Sequence, residues 1–445
     1  MFGVALLATA PAQEIPRPSL SRVKEAAPSI ERPYNLKLGP VTFTASAALG
    51  LEYVDNVNLT STNPSGDLII RPSLSVTGVW QVSRLNNLEM RTTIGYTKYI
   101  DHPELDSQTA LISPDSEIRL NIFIGDVKLV LHEQFSIEED PVTQGGVSGV
   151  AKLGRFTNTV GANALWDLNA VVWSVGYDHY NFITTGDAGN TNSSLNNDLS
   201  TLDHSTEQLS TSFFFKLSPT TNLGLEGTAG YSSYPHNSRA DYTMYSFGPF
   251  LDLQLTRYTH LTLSGGYQIY QSQNGGQAAN VPDVFPQSAI AGAGLPVSVP
   301  ERPQTSANQS GNNDGYYANL AIVHRLNRFY QDRFSVGREF QVGLLSDRTE
   351  TTFVNYASQW TFNRRLSLGT SLYFEDVQQT SQFAHSFGGA TLANYKRFGV
   401  ILNTSYQLTK KLNVSLRYQV VKQIADFAGQ DYLQNRVGLE FGYQF

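Results

Sequence analysis

Apolar and polar residues alternate one by one over most of the chain. In the segment Phe43–Tyr53 the odd positions hold Phe, Ala, Leu and Tyr, whereas the even positions are mostly Thr, Ser, Gly and Glu. Successive side chains of a β-strand point to opposite faces, so this period of two predicts strands with one apolar and one polar face. The pattern returns about 18 times in segments of about 10 residues, the length of a tilted strand that crosses a membrane. An almost entirely β structure is therefore predicted.

The alternation also runs through the final segment Val437–Phe445. Its odd positions are Val, Leu, Phe, Tyr and Phe, and its even positions are Gly, Glu, Gly and Gln. Chain ends of soluble domains are usually poorly ordered, whereas an amphipathic strand is predicted here. In hydrocarbon no water satisfies an open sheet edge, so a sheet with an apolar outer band must pair its last strand with its first. We therefore expect the sheet to close.

Short and long connections alternate between the predicted strands. Tight turns are predicted near Gly125, Asp167, Ser218, Asn363 and Thr409. Long polar connections are predicted over residues 55–67, 101–115, 138–150, 184–203 and 271–315. Outer-membrane barrels have short periplasmic turns at one rim and longer external loops at the other. The fold class predicted is all-β: a single transmembrane antiparallel β-barrel of about 16 to 18 strands with both termini in the periplasm.

Three segments of the chain differ in composition. Residues 1–12 contain a short apolar run followed by small residues, which is typical of a signal peptide. The basic residues that normally precede such a run are missing, so either the natural start lies upstream or the run is simply an apolar N-terminus. Residues 13–40 are punctuated by proline and are interpreted as an extended periplasmic leader. Residues 41–445 are predicted to form the barrel.

The composition of the chain excludes several classes of protein. Charged residues form 16% of the chain, against roughly 25% in an average soluble domain. No stretch approaches the ~20 apolar residues that a membrane-spanning helix needs. The chain has no cysteine, which excludes disulfides and thiolate chemistry. The net charge of -7 argues against a nucleic-acid partner, and neither a cofactor nor a metal site is predicted.

Charged residues on the polar parity of the strands are predicted to line the lumen. They are Arg71, Arg91, Arg119, Lys128, Arg155, Lys216, Arg325, Arg397, Arg417, Arg436, Glu52, Glu89, Asp178, Glu226, Glu339, Glu375 and Glu440. Because both signs occur, a water-filled and weakly selective channel is predicted. Two residues disagree with the strand pattern: Pro249 lies inside a predicted central strand, and Arg338 falls on the lipid-facing parity.

Two stretches resemble known families. The residues Leu439, Phe441, Tyr443 and Phe445 resemble the C-terminal signal that the barrel assembly machinery reads in bacterial outer-membrane proteins. The first predicted hairpin is similar to that of the putative β-barrel porins of the second type and of exosortase-associated outer-membrane barrels. This likeness is carried by Tyr53, Asp55, Asn56, Val57 and Pro72. The resemblance implies an outer-membrane location, contact with outer-membrane lipid, and assembly by that machinery.

Three functions are compatible with these features. The first is a porin-like channel for passive diffusion of small hydrophilic solutes or oligosaccharides, either as a monomer or as a homo-oligomer. The second is a barrel component of a system that exports surface polysaccharide or protein. The third is a hydrolase at the outer rim, where Asp178–His179 and Asp203–His204 would bring two carboxylate–imidazole pairs together.

The connection 271–315 is much longer than a hairpin needs and has an apolar centre. Long loops without secondary structure are usually functional or disordered. Its sequence is compatible with a constriction inside the lumen, with a cover over the outer mouth, or with a mobile loop.

Overall fold

The computed structural model describes residues 34–139, 153–185, 202–235, 241–273, 313–341, 348–380, 394–426 and 430–445. Almost all of this chain is β-strand, and one short 3₁₀ turn spans Pro103–Leu105. Within these ranges no helix is long and apolar enough to cross a membrane. The predicted signal peptide and residues 13–33 of the predicted leader lie outside the described residues, whereas Leu36–Leu38, also within the predicted leader, form a short strand paired with residues 41–43.

Twenty-one strands follow one another along the chain. They are β1 (Leu36–Leu38), β2 (Val41–Val54), β3 (Asp67–Gln81), β4 (Asn87–Gly95), β5 (Lys98–Tyr99), β6 (Leu111–Ile112), β7 (Glu117–Ile124), β8 (Val127–Glu138), β9 (Arg155–Asp167), β10 (Val171–Thr184), β11 (His204–Ser218), β12 (Thr221–Ser233), β13 (Asp241–Thr256), β14 (Thr259–Gln273), β15 (Asn313–His324), β16 (Tyr330–Gln341), β17 (Arg348–Thr361), β18 (Leu366–Thr380), β19 (Tyr395–Gln407), β20 (Leu412–Ala425) and β21 (Tyr432–Gln444).

The strands form one closed antiparallel barrel. When the short β1, β5 and β6 are set aside, 18 strands remain, and each pairs with its neighbours along the chain. The barrel closes where β2 pairs with β21, from Ser46 opposite Gln444 to Val54 opposite Arg436. The predicted all-β barrel and the predicted closure by the terminal strand are confirmed. The turn rim is defined here as the end of the barrel that carries the short turns, and the loop rim as the opposite end.

The outer surface of the barrel carries an apolar belt. Leu49, Leu74, Phe247 and Leu416 are each between 43% and 61% exposed, and all fall on the parity predicted to face lipid. Exposing so much apolar surface to water is unfavourable, whereas hydrocarbon accepts it. A closed antiparallel barrel with such a belt is the architecture of outer-membrane proteins. The chain is therefore an outer-membrane β-barrel, as the alternation predicted.

The position of Pro249 inside β13 has a local explanation. The ladder between β13 and β14 pairs Phe247 with Tyr267 and resumes at Phe250, so Gly248 and Pro249 make no ladder pair with β14. A proline has no N–H to give to such a ladder. The gap therefore removes the conflict between this proline and a central strand.

Arg338 does lie on the outward parity, near the loop rim. Its Nη2 atom is 2.5 Å from Oε1 of Glu350, and its guanidinium lies over the rings of Tyr316 and Phe340. Charged and aromatic side chains are tolerated where the apolar belt meets the polar interface. Arg338 is therefore a residue of this interface, which the parity rule alone does not distinguish from the centre of the belt.

The closure predicts a gel-mobility result. The unheated protein is expected to migrate differently from the boiled protein in SDS, because a sealed barrel has no open edge from which to unfold. Deleting residues 437–445 removes almost the whole partner of β2, so this variant is expected to lose the mobility difference. Equal mobility of the heated and unheated full chain would contradict the closed barrel.

Candidate functional site

Charged side chains converge on the inner face of six neighbouring strands, β18 to β21 followed by β2 and β3. Glu52 of β2 lies between two of them: its Oε2 atom is 3.4 Å from Nη1 of Arg71, and its Oε1 atom is 3.3 Å from Nη1 of Arg436. Both arginines occupy the parity opposite to the apolar belt. One carboxylate is therefore shared by two guanidinium groups from different strands.

Gly438 brings a third arginine to the same carboxylate. In the sheet register Gly438 stands directly between Glu52 and Arg417. A Cβ atom at this glycine would lie 3.9 Å from both Glu52 Cγ and Arg417 Cβ. The missing side chain leaves the space in which these two groups face each other. Nη2 of Arg417 donates a hydrogen bond of 2.8 Å to Gln419 Oε1.

Arg397 extends this cluster across β19 and β18. Its Nε and Nη2 atoms lie 2.9 and 2.5 Å from Oε2 of Glu375, and the whole residue is only 8% exposed. The ring of Tyr373 lies beside it, over Gly399, where any Cβ atom would collide with the ring. The Tyr373 ring therefore fills the space above Gly399 on the inner face of the barrel, and it adds no charge beside Arg397.

These residues are called the arginine wall: Arg71, Arg397, Arg417 and Arg436 with Glu52 and Glu375. Four guanidinium groups face these two carboxylates, and Glu440, which stands opposite Arg71 across Gly50 in the sheet register, is a third carboxylate on the same inner face, so the excess is one positive charge. The Nε atom of Arg417 is buried and donates no hydrogen bond to any residue in the described ranges. Buried donors are normally satisfied, so this atom is suited to an acceptor that comes from outside the described chain.

The other predicted lumen charges lie away from the arginine wall in smaller groups. Nε of Arg119 is 2.9 Å from Glu117, Lys216 is 2.6 Å from Asp167, and Arg155 pairs with Glu138. Polar partners or an aromatic ring are found for four more residues, Lys128, Glu89, Glu226 and Arg325. Arg91 and Glu339 also lie on the inward parity of their strands and outside the arginine wall.

Part of the inner face is apolar, which the sequence reading did not anticipate. Leu165, Val172, Phe214 and Phe250 form one buried cluster on the inward parity of β9, β10, β11 and β13. Gly224 makes room for it, because a Cβ atom there would fall on the ring of Phe250. The lumen is therefore not lined by polar residues throughout, and the arginine wall belongs to one side of it.

The connection between β2 and β3, residues 55–66, folds into the barrel and is called the inner loop. Asn56 is 1% exposed, and its Nδ2 atom donates to the carbonyl oxygens of Thr60 and Leu433, at 2.8 and 3.0 Å. In return, Nε2 of Gln434 donates to the Asn56 carbonyl oxygen at 2.6 Å. The base of the inner loop is therefore bound to β21, next to the arginine wall.

Leu59 fixes the middle of the inner loop against the wall. It is buried against Val421 and Tyr432, with Tyr373 packed beside them, and all three belong to the inward face of their strands. Its φ angle is +53°, a conformation that costs a non-glycine residue about 1 to 2 kcal/mol. Burial of its side chain offsets this strain. The inner loop therefore occupies part of the lumen beside the arginine wall.

Sequence analysis predicted a long connection here, which the structure confirms, but did not predict that it folds into the barrel. The signal was present, because Val57 and Leu59 are apolar residues within an otherwise polar connection. Val57 is buried with Val54, Ile69 and Tyr99. The connection for which sequence analysis did consider a constriction, residues 271–315, falls almost entirely outside the described residues.

The predicted pairing of two Asp–His dipeptides does not occur. Successive residues of a strand face opposite sides of a sheet, so Asp178 points inward, to 2.9 Å from His132, and His179 points outward, to 2.6 Å from Glu207. His204 points inward and stacks on Phe182. The two histidines therefore lie on opposite faces of the barrel, and the proposed rim hydrolase at these residues has no geometric basis.

An ion pair between Lys98 and Asp106 connects the two ends of the segment 98–106. Asp106 accepts hydrogen bonds from Nζ of Lys98 and, at 2.7 Å, from the backbone N–H of Tyr99. The hydrogen bond from the ammonium group raises the pKa of Lys98 above its ordinary value. This loop lies at the loop rim, where Leu105 packs against the cluster around Val57.

No protein-family model matches the chain, and no curated protein matches it either. Among solved structures, OccK2 (OpdF) of Pseudomonas aeruginosa is 10% identical, with 92% of this chain and 99% of that chain covered and a TM-score of 0.48. A BenF-like porin from Pseudomonas fluorescens Pf-5 is 9% identical, with 91% and 99% covered and a TM-score of 0.46. OccK3 (OpdO) of Pseudomonas aeruginosa is 11% identical, with 91% and 96% covered and a TM-score of 0.42.

Proposed function

We propose that this barrel is a channel for passive diffusion of small hydrophilic solutes across the outer membrane, and that it favours small anions. The arginine wall is the observation that carries the proposal. Barrels of about 18 strands are wide enough for an aqueous channel, and the sign that dominates a narrow section sets the selectivity. Here the inner loop narrows the lumen beside the arginine wall, so a passing solute meets an excess of guanidinium groups.

This proposal refines the weakly selective channel that the sequence predicts. The inward charges of both signs were expected to balance, and many of them do pair locally. Arg417 differs from these paired residues because its Nε atom has no acceptor among the described residues and the carboxylate that faces it across Gly438, Glu52, is bonded to Arg71 and Arg436. An anionic group such as a carboxylate or chloride would supply the missing acceptor.

Ion selectivity in planar bilayers tests this function. Across a KCl gradient, the reversal potential of the refolded protein is expected to lie on the chloride side of zero. The double variant Arg417→Gln, Arg436→Gln is expected to move it towards zero, because the arginine wall then loses its positive excess. Lys216→Gln is the matched control, since Lys216 pairs with Asp167 on another part of the barrel. A wild-type reversal potential at zero or on the potassium side would overturn the anion preference, and a sealed bilayer would overturn the channel.

Several earlier predictions remain proposals beside this one. They are recognition of Leu439, Phe441, Tyr443 and Phe445 by the barrel assembly machinery, passage of oligosaccharides, and assembly into a homo-oligomer. No contact among the described residues favours a role in export of polysaccharide or protein over passive diffusion.

A further inference from the structure

A hydrogen-bonded chain of Ser65, His102 and Asp67 joins the inner loop to the loop that follows β4. The Ser65 Oγ atom is 2.9 Å from Nε2 of His102, and Nδ1 of the same ring is 2.9 Å from Oδ2 of Asp67. Both distances are within the range expected of a nucleophile, its base and the group that orients the base. The three residues were not singled out in the sequence, because the histidine is 35 positions away from the aspartate.

Asp67 is held in the way that an orienting carboxylate requires. Its side chain is fully buried. Oδ1 accepts hydrogen bonds from the backbone N–H groups of Ile100 and Asp101 at 3.1 and 3.0 Å, and Oδ2 accepts one from the N–H of His102 at 3.0 Å. A carboxylate with this many donors stays ionised and fixed in position. It therefore favours the tautomer of His102 with the proton on Nδ1, which leaves the Nε2 lone pair facing Ser65.

Ser65 is positioned by its own backbone and is partly accessible. Its N–H donates to Oδ1 of Asn58 at 3.2 Å, and its carbonyl oxygen accepts from the N–H of Val57 at 2.8 Å. The His102 side chain is 23% exposed, so a solute at the loop rim can reach the serine–histidine pair. Ser65 is thus fixed relative to its base and is partly exposed.

We propose that Ser65 is an activated nucleophile and that this group hydrolyses small carboxylic esters at the loop rim. Oγ attacks the carbonyl carbon of the ester while Nε2 of His102 takes the hydroxyl proton. The ester bond to the alcohol then breaks, and the alcohol leaves with that proton. Water, activated by the same nitrogen, attacks the acyl–serine bond and releases the carboxylic acid and free Ser65.

The class of substrate follows from the neighbouring groups. The described partners of Ser65 and His102 are amides, a carboxylate and backbone groups. Phosphoryl transfer depends on cationic groups or metal ions that neutralise the phosphate, whereas acyl transfer to serine begins with a nucleophile and its base. A carboxylic ester therefore suits this site better than a phosphate ester. The acid produced is an anion, the class of solute that the arginine wall is proposed to favour.

Covalent labelling of the folded barrel tests the proposal without any measurement of ion flow. A fluorophosphonate probe is incubated with the refolded full chain in detergent, and the labelled peptide is identified by mass spectrometry. Labelling is expected at Ser65 and is expected to vanish in Ser65→Ala. His102→Gln keeps polar atoms in the loop but cannot act as the base, so its labelling rate is expected to fall by about 100-fold. Ser61→Ala, an exposed serine of the same loop, is the matched control and is expected to label like the wild type.

The possible outcomes decide between catalysis and a purely structural clamp. If the wild-type chain is folded, as gel mobility reports, and Ser65 is not labelled, the proposal is overturned and the three residues only hold two loops together. Labelling of Ser65 that is unchanged in His102→Gln would also overturn it. Hydrolysis of p-nitrophenyl acetate supplies a second readout: its rate is expected to fall to the uncatalysed level in Ser65→Ala and by about 100-fold in His102→Gln. These results are independent of the reversal potential, so failure here leaves the proposed channel standing.

Discussion

Replacing Val57 and Leu59 by serine is expected to raise the single-channel conductance several-fold. Both side chains attach the inner loop to the wall of the barrel through apolar contacts. Without them, the strained backbone at Leu59 has no burial to offset its positive φ angle. The inner loop is then expected to leave the lumen, and the narrowest section of an 18-stranded barrel becomes wider.

The measurement is single-channel recording in planar bilayers at fixed salt. Ser61→Ala with Thr62→Ser is the matched control, because both residues are exposed in the same loop and neither has a positive φ angle. This control is expected to keep the wild-type conductance. A double serine variant at positions 57 and 59 with unchanged conductance would show that the inner loop does not form the constriction.

Glu375→Gln is expected to lower the free energy of unfolding by about 3 kcal/mol. The substitution removes the carboxylate beside the Arg397 guanidinium, whose side chain is only 10% exposed. Breaking a buried ion pair costs more than the pair contributes, because the remaining charge stays in a poorly solvated position. The expected observation is a lower urea midpoint for unfolding from detergent, followed by tryptophan fluorescence.

Glu117→Gln separates this effect from a general loss of charge. Glu117 pairs with Arg119 at 2.5 Å, as closely as Glu375 pairs with Arg397, but the Arg119 side chain is 49% exposed. Exposed pairs contribute at most about 1 kcal/mol. Equal changes in the midpoint for the two variants would mean that burial of Arg397 has no energetic consequence.

The strands were predictable because their signal is local and repeated. A period of two indicates both the secondary structure and the face of each side chain. The outward position of Leu416 and the inward position of Arg417 therefore follow from the local sequence alone. The closed edge also followed, since an apolar terminal strand such as Val437–Phe445 is stable in a membrane only when it is paired. These inferences require no knowledge of distant contacts.

The site was only partly predictable, because the register between strands decides which inward charges meet. Arg71, Arg417 and Arg436 were all expected in the lumen, but their convergence on Glu52 depends on pairings that alternation does not specify. The inner loop shows the same limit: Leu59 is apolar, yet its partner Val421 lies on a strand near the other end of the sequence. The prediction that placed His179 near His204 failed for a different reason. It overlooked that Asp178 and His179, as successive residues of one strand, face opposite sides of the sheet.

The seam between β2 and β21 has a consequence for biosynthesis. Glu52 and Arg436, which are bonded across this seam, are separated by 384 positions. The ribosome synthesises the N-terminal end first, so β2 has no partner along the seam until β21 has been translated. During that interval the apolar side chains of the strands between them are exposed to water, and incompletely folded chains that expose apolar surface aggregate readily. We therefore expect the unfolded chain to need chaperones that cover its apolar side chains until the barrel closes.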